Sequence, residues 1–385
     1  MRIGFDAKRA FQNSTGLGHY SRTLIKSLCT YFPDNAYYLF APKPTDRFKG
    51  LPAHNTTVIS PLSFPFKFLR SAWRSNAVKK DLLQNNIEIY HGLSHEIPFG
   101  IERTGIRTVV TMHDLIFERY PKQYNAIDVW TYRRKIKNAC AHADAIIAIS
   151  NQTKDDLVNI YKVSAEKITV CYQSCDPNFA LIVPAEKKAE IRALYKLPAQ
   201  YFLSVGSIIE RKNLLTICKA MQILKDKLPI PLVVIGNGGK YKQEVLQFIT
   251  KNDLAASIIF LSDTSEAKEQ EGFRNSAHFP AIYQMAEALI YPSTFEGFGI
   301  PILEAMFSRL PVITSNVSCM PEAGGEAAAY IDPYDHVTLA TKMEAIAKDQ
   351  VLAGAMRKKG IAHAQLFTPE KTGAEVMKIY QKLLP

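Results

Sequence analysis

The chain has 385 residues, which is too long for a single ordinary core, so we expect two domains. Hydrophobic residues make up 47% and charged residues 22%, which indicates a folded globular protein and excludes a disordered one. No apolar run approaches the roughly 20 residues that a membrane-spanning helix needs. The net charge of +11 fits anionic substrates, an anionic membrane surface or nucleic acid, and does not choose among them.

Location and metal content are suggested by the cysteines and the start of the chain. The six cysteines are scattered, without the spacing of a zinc site or a disulfide framework. The sequence begins directly with a strand pattern, so we expect no signal peptide. We therefore expect a cytoplasmic protein with reduced thiols and no bound metal.

The first half of the chain alternates short apolar runs with helical patterns, which predicts an α/β doubly wound domain over residues 1–180. Its first strand, Arg2–Asp6, is followed by a loop with Gly16 and Gly18 that leads into a helix. Further strands are predicted at residues 37–41, 57–60, 87–91, 108–112, 143–149 and 168–172.

Two of these strands end in a histidine, His91 and His113. Ligands of open α/β sheets bind outside the carboxyl ends of the strands, so residues directly after strands are site candidates. His113 is the stronger candidate because an acid, Asp114, follows it. The alternative for such a histidine is a structural role, for example capping a carbonyl.

The segment 63–80 mixes aromatic and apolar residues with basic ones. This composition is typical of a helix or loop in a membrane interface. The alternative is a helix that packs its aromatic residues in the core and leaves its charges in water. The residues concerned are Phe64, Phe66, Phe68, Leu69 and Trp73 with Lys67, Arg70, Arg74, Lys79 and Lys80.

The second half begins with a polar, lysine-rich stretch bounded by prolines, residues 181–198, which predicts a linker. A second α/β domain is predicted over residues 199–366. Its first strand leads to a turn with Gly206, Arg211 and Lys212 just before a helix. Two cations at this place are typical of a phosphate-binding turn, and surface charge is the plain alternative.

The most specific stretch is Glu296–Met306, which follows an apolar strand. Gly297 and Gly299 leave the turn uncrowded and Pro301 suits the first turn of a helix, so a helix is predicted to begin where the strand ends. The free N–H groups of that first turn suit an anion such as a diphosphate. Two carboxylates, including Glu304, bracket the turn.

In their order and spacing these motifs resemble the retaining glycosyltransferases of family 4. The match covers nearly the whole chain, and its most specific part is the pair Glu296 and Glu304 around the Gly-Phe-Gly-x-Pro turn. The resemblance implies a GT-B fold, in which two Rossmann-like domains face each other across a cleft. It also implies that residues 367–385 form a helix crossing back to the first domain.

The resemblance further implies roles for individual residues. Glu304 would hold the ribose hydroxyls of the donor and Glu296 those of the transferred sugar. Arg211 and Lys212 would neutralise the diphosphate, and with Glu296 and His113 they form the expected catalytic set. The expected donor-binding set is Gly16, Gly18, Gly206, Arg211, Lys212, Glu296, Gly297, Phe298, Gly299 and Glu304.

No cofactor is implied, and the leaving phosphate itself would accept the acceptor's proton. Residues 6–7, 16–21 and 90–92 look most like mannosyltransferases that use GDP-mannose. The expected activity is therefore hexose transfer, with mannose favoured, to a glycan or lipid-linked acceptor. Contact with the inner face of the cell membrane through residues 63–80 is a further expectation.

Alternative functions remain open at this point. They are a sugar-nucleotide epimerase of the same fold, a phosphorylase, and a non-catalytic protein that binds nucleic acid or membranes. A hydrolase would use Glu296 and Glu304 to flank a glycosidic bond. A nucleic-acid partner is not expected, because acids in the site oppose a polyanion.

The chain departs from the family pattern in two places. Arg309 stands where the family usually has glycine or a small residue, and the charged stretch Thr264–His278 is additional. That stretch follows a strand end near the expected site of the nucleotide base, so the family pattern does not by itself define the base preference.

Overall fold

A computed structural model describes residues 1–61 and 64–384. Within them the chain forms two compact units. The first consists of Met1–Cys175 together with the C-terminal segment from Thr368, and the second is Asp176–Phe367.

The first unit is built on a parallel sheet of seven described strands in the order β3-β2-β1-β4-β5-β6-β7. The strands are β1 (Arg2–Asp6), β2 (Ala36–Phe40), β3 (Thr56–Ile59), β4 (Ile89–Gly92), β5 (Arg107–Met112), β6 (Ala145–Ala148) and β7 (Ile168–Val170). The helices up to residue 175 are α1 (Lys8–Gln12), α2 (Gly16–Tyr31), α3 (Arg70–Ala72), α4 (Val78–Gln84), α5 (Ile116–Arg119), α6 (Ala126–His142) and α7 (Asn151–Tyr161).

Strands β2, β4, β5 and β6 each contribute to two cores, because neighbouring residues of a strand point to opposite faces. Val109 packs in a core that includes Leu24 of α2, whereas Val110 packs in another that includes Leu82 of α4. A parallel sheet covered on both faces needs strands that are apolar throughout. This is why β1, β4, β5 and β6 are recognisable in the sequence.

The second unit is built on a parallel sheet of six described strands in the order β10-β9-β8-β11-β12-β13. The strands are β8 (Phe202–Val205), β9 (Leu232–Ile235), β10 (Ile258–Phe260), β11 (Ala288–Tyr291), β12 (Val312–Ser315) and β13 (Ala329–Ile331). Its helices are α8 (Ala185–Leu194), α9 (Leu214–Leu224), α10 (Lys240–Lys251), α11 (Ser265–Glu269), α12 (Glu271–Arg274), α13 (Phe279–Gln284), α14 (Ile300–Phe307), α15 (Met320–Gly324), α16 (His336–Lys348) and α17 (Gln350–Ala364).

The last helix, α18 (Pro369–Leu383), belongs to the first unit and packs on α2. The two helices approach closely, because a Cβ on Gly373 would lie 2.4 Å from the Ser27 hydroxyl oxygen. Val376, Met377 and Tyr380 are buried in the same core as α2. The C-terminal helix thus forms part of one wall of the first unit.

The stretch 181–198, which composition predicts to be a linker, is part of the second unit. Helix α8 packs on α13, and the Tyr195 hydroxyl lies 2.7 Å from Nδ1 of His278. Lys196 forms an ion pair with Glu266. The prediction of a linker is therefore wrong. The same contacts show that the additional stretch Thr264–His278 packs against the end of α8.

The mixed segment 63–80 divides between core and surface, and Ser63 lies outside the described residues. Trp73 is buried, with its Nε1–H donating to Asp81 at 2.6 Å. Phe64 and Phe68 are 84% and 76% exposed. The segment as a whole therefore fits neither a membrane-interface helix nor a helix with all of its aromatic residues in the core. No described helix has both the length and the apolar composition to cross a membrane.

Candidate active site

The candidate site lies at the point where the strand order of the second sheet reverses, between β8 and β11. Parallel sheets bind ligands in the crevice outside the carboxyl ends of the strands at this point. The turn after β8 is residues 206–213, and the turn after β11 is residues 292–299. The two turns are joined, because the Thr294 N–H donates to the Arg211 carbonyl at 2.8 Å. Asn213 Nδ2 also donates to the Pro292 carbonyl at 3.2 Å.

Three predicted site residues form one buried charge cluster in these turns. Oε1 of Glu296 lies 2.8 Å from Nη1 of Arg211 and 2.7 Å from Nζ of Lys212. The ammonium of Lys212 also donates to the Tyr291 hydroxyl and lies 4.5 Å from the centroid of that ring. The cluster therefore holds two positive charges against one carboxylate.

The cluster fixes the ionisation of its members. Burial alone would raise the pKa of Glu296, but the charges of Lys212 and Arg211 hold it below its usual value. Burial lowers the pKa of Lys212, and the charge of Glu296 opposes that shift. Glu296 is thus ionised at neutral pH, and its negative charge orients the two cations.

Helix α14 begins at the end of the second turn. Gly299 has a φ of 100°, which a residue with a side chain rarely adopts, and Pro301 lies in the first turn of the helix. Gly297 is buried in the same turn. Phe298 is also buried, with its ring centroid 5.7 Å from that of Phe367. The Phe298 ring therefore packs inside the second unit, and what this residue offers a ligand is its backbone.

Glu304 lies one turn into α14. Its Oε2 accepts a hydrogen bond from the Tyr283 hydroxyl at 2.7 Å. Burial raises the pKa of Glu304 to about 7, and this hydrogen bond opposes the shift. Glu304 is therefore the candidate site residue that changes charge near neutral pH.

The glycines differ in their surroundings. Gly206 directly follows β8 and lies beside the side chain of Lys212. In the first unit, a Cβ on Gly18 would lie 2.0 Å from the Asn13 carbonyl oxygen, whereas a Cβ on Gly16 would meet nothing within 4 Å. Gly18 is therefore required by the close approach of the Asn13 backbone to the first turn of α2, and Gly16 leaves open space at the start of that helix.

His113 lies at the carboxyl end of β5 with both ring nitrogens engaged. Its Nε2–H donates to the Leu93 carbonyl at 2.9 Å, and Gln173 Nε2 donates to its Nδ1 at 3.0 Å. Burial, together with the nearby His95, lowers the pKa of His113 to about 3. These contacts match the carbonyl-capping alternative, and a catalytic role for His113 stays a prediction.

His91, the other strand-end histidine, is fully buried in the first unit. Its Nδ1 lies 2.6 Å from the Tyr380 hydroxyl of α18, and its Nε2 lies 2.8 Å from Thr111 Oγ1. The Tyr20 hydroxyl lies 2.9 Å from the same Thr111 oxygen. This chain of hydrogen bonds joins the C-terminal helix to the sheet, so His91 has a structural role.

Sequence reasoning missed two residues that contact the predicted ones. Tyr283 binds Glu304, and Nε2 of His95 accepts the backbone N–H of His113 at 2.8 Å. His95 has a φ of 62°, an uncommon conformation for a residue other than glycine. No local pattern marks either residue, although His95 does follow a predicted strand end.

The structure is similar to solved glycosyltransferases along essentially the whole chain. A glycosyltransferase from Rickettsia africae matches with a TM-score of 0.74 and 18% identity over 100% of this chain and 98% of that one. Anabaena HepE, solved in complex with UDP-glucose, matches with a TM-score of 0.73 and 15% identity over 99% and 100% of the two chains. WaaG, a glycosyltransferase involved in lipopolysaccharide biosynthesis, matches with a TM-score of 0.68 and 16% identity over 98% of this chain and 99% of that one. The two Rossmann-like units thus define the GT-B fold.

Family models identify the chain more closely. The model for glycosyl transferases group 1 matches residues 187–363, and the model for glycosyltransferase family 4 matches residues 16–179. Together the models cover most of the chain. The protein belongs to the family 4 glycosyltransferases.

Its curated relatives include mannosyltransferases. O-antigen chain mannosyltransferase B of Escherichia coli is 26% identical over 77% of this chain and 74% of its own length. O-antigen chain mannosyltransferase RfbU of Salmonella typhimurium is 28% identical over 63% of this chain and 60% of its own length. The serotype-specific mannosyltransferase WbdA of Escherichia coli is 25% identical over 76% of this chain but only 36% of its own length.

Proposed function

We propose that this glycosyltransferase moves mannose, with retention of configuration and without a metal ion, from GDP-mannose to a glycan or lipid-linked acceptor. The observation that carries the proposal is the cluster of Arg211, Lys212 and Glu296 at the reversal point of the second sheet, beside the start of α14. Two cations and a helix N-terminus at one place suit a diphosphate.

The choice of donor is supported by the relatives. HepE has been solved with UDP-glucose, which supports a nucleoside-diphosphate sugar as the donor class. The relatives from Escherichia coli and Salmonella typhimurium are mannosyltransferases, which supports mannose as the sugar. Guanine as the base rests on the resemblance of residues 6–7, 16–21 and 90–92 to enzymes that use GDP-mannose.

In the proposed reaction the bond between the sugar C1 and the diphosphate oxygen breaks, and a bond from C1 to the acceptor oxygen forms on the same face. The leaving diphosphate gains negative charge, which Arg211 and Lys212 offset in a site where burial strengthens the interaction. The acceptor's proton passes to an oxygen of the leaving phosphate. No protein base is then required, which agrees with the occupied ring nitrogens of His113.

Glu296 has two tasks in this proposal. Its Oε1 holds Arg211 and Lys212 in place, and its second oxygen is assigned to a hydroxyl of the transferred sugar. Glu304 accepts hydrogen bonds from the ribose, and the N–H groups from Gly297 to Ile300 face the phosphate or sugar. Gly16 and Gly18 of the first unit are assigned to the approach of the donor.

The first experiment is a panel of nucleoside-diphosphate sugars, with release of the nucleoside diphosphate as the readout, run with and without an acceptor. We expect GDP-mannose to give the fastest release and the acceptor to accelerate it. Conversion of the donor sugar to another sugar without any acceptor would instead identify an epimerase. Failure of every nucleotide sugar to react would contradict the proposal.

The second experiment tests the cation cluster. Lys212→Ala should lower kcat by about 100-fold or more, as expected when a charge-stabilising group is removed from the transition state. Lys225→Ala is the matched control, because Lys225 lies in the same unit and pairs with the exposed Asp253. Full activity of Lys212→Ala would contradict the site assignment.

A further inference from the structure

The strand order of the first sheet also reverses, between β1 and β4. The crevice at the carboxyl ends of these two strands is therefore the corresponding ligand position of the first unit. Lys8 and Arg9 follow β1, and Ser94, His95 and Glu96 follow β4. Two adjacent cations thus lie at the reversal point of the first sheet, as Arg211 and Lys212 do at that of the second sheet.

The acids near Lys8 and Arg9 already form ion pairs with other cations. Both carboxylate oxygens of Asp6 accept from Nε of Arg74 at 2.9 Å. Glu96 pairs with Arg74 through one oxygen and with Lys135, at 2.8 Å, through the other. Asp6 and Glu96 are thus balanced by Arg74 and Lys135, and the charges of the other two cations are in excess.

Within the part of the chain that the structure describes, the side chains of Lys8 and Arg9 have no hydrogen-bond or ion-pair partner. Both are only partly exposed, and Nε of Arg9 is buried without an acceptor. A buried donor without an acceptor is costly, so such a group marks a place where a ligand can supply one. Burial lowers the pKa of Lys8, and so do the charges of Arg74 and Arg9.

The surroundings offer further donors. Because Nε2 of His95 accepts the N–H of His113, the proton of the neutral His95 ring lies on Nδ1. Burial and the charge of Arg9 lower the pKa of His95 to about 4, so this ring stays neutral at physiological pH. The buried hydroxyl of Ser94 also has no partner among the described residues. An ammonium, a guanidinium, a hydroxyl and a ring N–H together suit a phosphate group.

We propose that Lys8 and Arg9 bind a phosphate group carried by the acceptor substrate, in the crevice between the ends of β1 and β4. The proposal rests on the proposed function, because it takes the first unit to be the acceptor side. It adds a chemical class for the acceptor, namely a phosphorylated glycan or a lipid-linked phosphate or diphosphate.

Kinetics with phosphorylated and neutral mannosides as acceptors test this assignment in the full-length enzyme. The variant Lys8→Gln/Arg9→Gln should raise KM for the phosphorylated mannosides at least about tenfold. It should leave unchanged KM for the neutral mannosides and the slow hydrolysis of the donor without acceptor. The matched control is Lys80→Gln/Arg103→Gln, which removes the same two charges from exposed positions of the same unit. Unchanged KM for the phosphorylated mannosides, or a rise in KM for the donor instead, would overturn the proposal.

Direct binding provides a test that needs no turnover. Titration of the wild-type enzyme with inorganic pyrophosphate, with its donor site saturated by GDP, should reveal binding that weakens as salt is added. Lys8→Arg/Arg9→Lys keeps both charges and should retain this binding, whereas the glutamine pair should lose it. No pyrophosphate binding by the GDP-saturated wild type would overturn the proposal. Failure of the proposed function would appear separately, as the absence of nucleoside diphosphate release with every donor.

Discussion

Glu304 differs from the other carboxylate of the candidate site in its environment. Glu296 is held ionised by two cations, whereas Glu304 accepts a hydrogen bond from the Tyr283 hydroxyl and forms no ion pair among the described residues. The pKa values of the two groups are therefore shifted in opposite directions, down for Glu296 and up to about 7 for Glu304. Glu304, which is assigned to the ribose in the proposed function, is thus the carboxylate whose charge changes near neutral pH.

Donor binding should consequently depend on pH. The carboxylate of Glu304 accepts hydrogen bonds from two ribose hydroxyls better than its protonated form does, so KM for the donor should fall as pH rises through about 7. Between pH 8 and pH 6 we expect KM to rise roughly tenfold, one decade per pH unit below the pKa. Steady-state kinetics with GDP-mannose between pH 6 and pH 8 would measure this change in KM.

Glu304→Gln provides the control for the pH dependence. This variant should have a high KM that no longer changes between pH 6 and pH 8. If the wild-type KM is constant over the same range, Glu304 does not bind the donor through its ionised form.

At the scale of single elements, the end of α14 explains one departure from the family pattern. Arg309 follows the helix with a φ of 58°. The Leu310 N–H donates to the Ala305 carbonyl at 2.8 Å, and the Arg309 N–H donates to the Met306 carbonyl at 3.1 Å. These two bonds form a Schellman motif, whose left-handed residue is usually glycine.

Arg309→Gly should therefore stabilise the protein. Glycine adopts the left-handed conformation without the strain of a side chain, which should add about 1 kcal/mol to the free energy of unfolding of the second unit. The midpoint of thermal unfolding measures the change. Arg309→Ala is the control, since it removes the charge but keeps the strain. Equal stabilisation by both variants would attribute the effect to the charge.

Helix α18 gives a second prediction at this scale. Tyr380→Phe removes the hydroxyl that lies 2.6 Å from Nδ1 of His91 and leaves a buried ring nitrogen without its partner. The first unit should lose about 1–3 kcal/mol of stability. Thermal unfolding and hydrogen exchange in α2 and α18 would measure the loss. Tyr334→Phe makes the same chemical change at an exposed position of the second unit and should be neutral.

The sequence predicts some elements of this fold better than others, for physical reasons. Strands that are buried on both faces, such as β1 and β5, have continuous apolar runs and are recognisable. Strand β12 ends in the polar residues Thr314 and Ser315, so it has no such run. The polar segment 181–198 resembles a linker because its contacts with residues 266 and 278 are distant in sequence.

For the candidate site, the residues that follow strands could be predicted and their partners could not. The proximity of Arg211 and Lys212 to Glu296 follows once β8 and β11 are known to be neighbours in a parallel sheet. The pairing of Glu304 with Tyr283 does not follow from any local pattern. It depends on how α13 and α14 pack.

At the scale of the whole molecule, the charge of +11 and several exposed apolar side chains raise the question of membrane contact. Phe64 and Phe68 are exposed in the first unit, as are Ile127 and Trp130 of α6. Arg134, on the same helix, lies 5.8 Å from the Trp130 ring. Apolar side chains among cations suit an anionic lipid surface.

We expect the protein to bind anionic vesicles through these residues. Phe64→Ser/Phe68→Ser should lower the partition coefficient into phosphatidylglycerol vesicles, measured by cosedimentation, about 100-fold or more, because the loss of two phenylalanine rings removes several kcal/mol of transfer free energy. Val351→Ser is the control, since Val351 is equally exposed but lies in the second unit. Absence of wild-type binding at low salt would refute the membrane contact.

The return of α18 to the first unit also affects the order in which the protein can fold during synthesis. Residues up to 175 leave the ribosome first, yet the core that contains Tyr20, Leu24 and His91 is completed by Tyr380. The second unit, by contrast, is continuous in sequence and can fold as soon as it emerges. The first unit of the nascent chain should therefore complete its core last, with the α2 face uncovered until α18 has emerged.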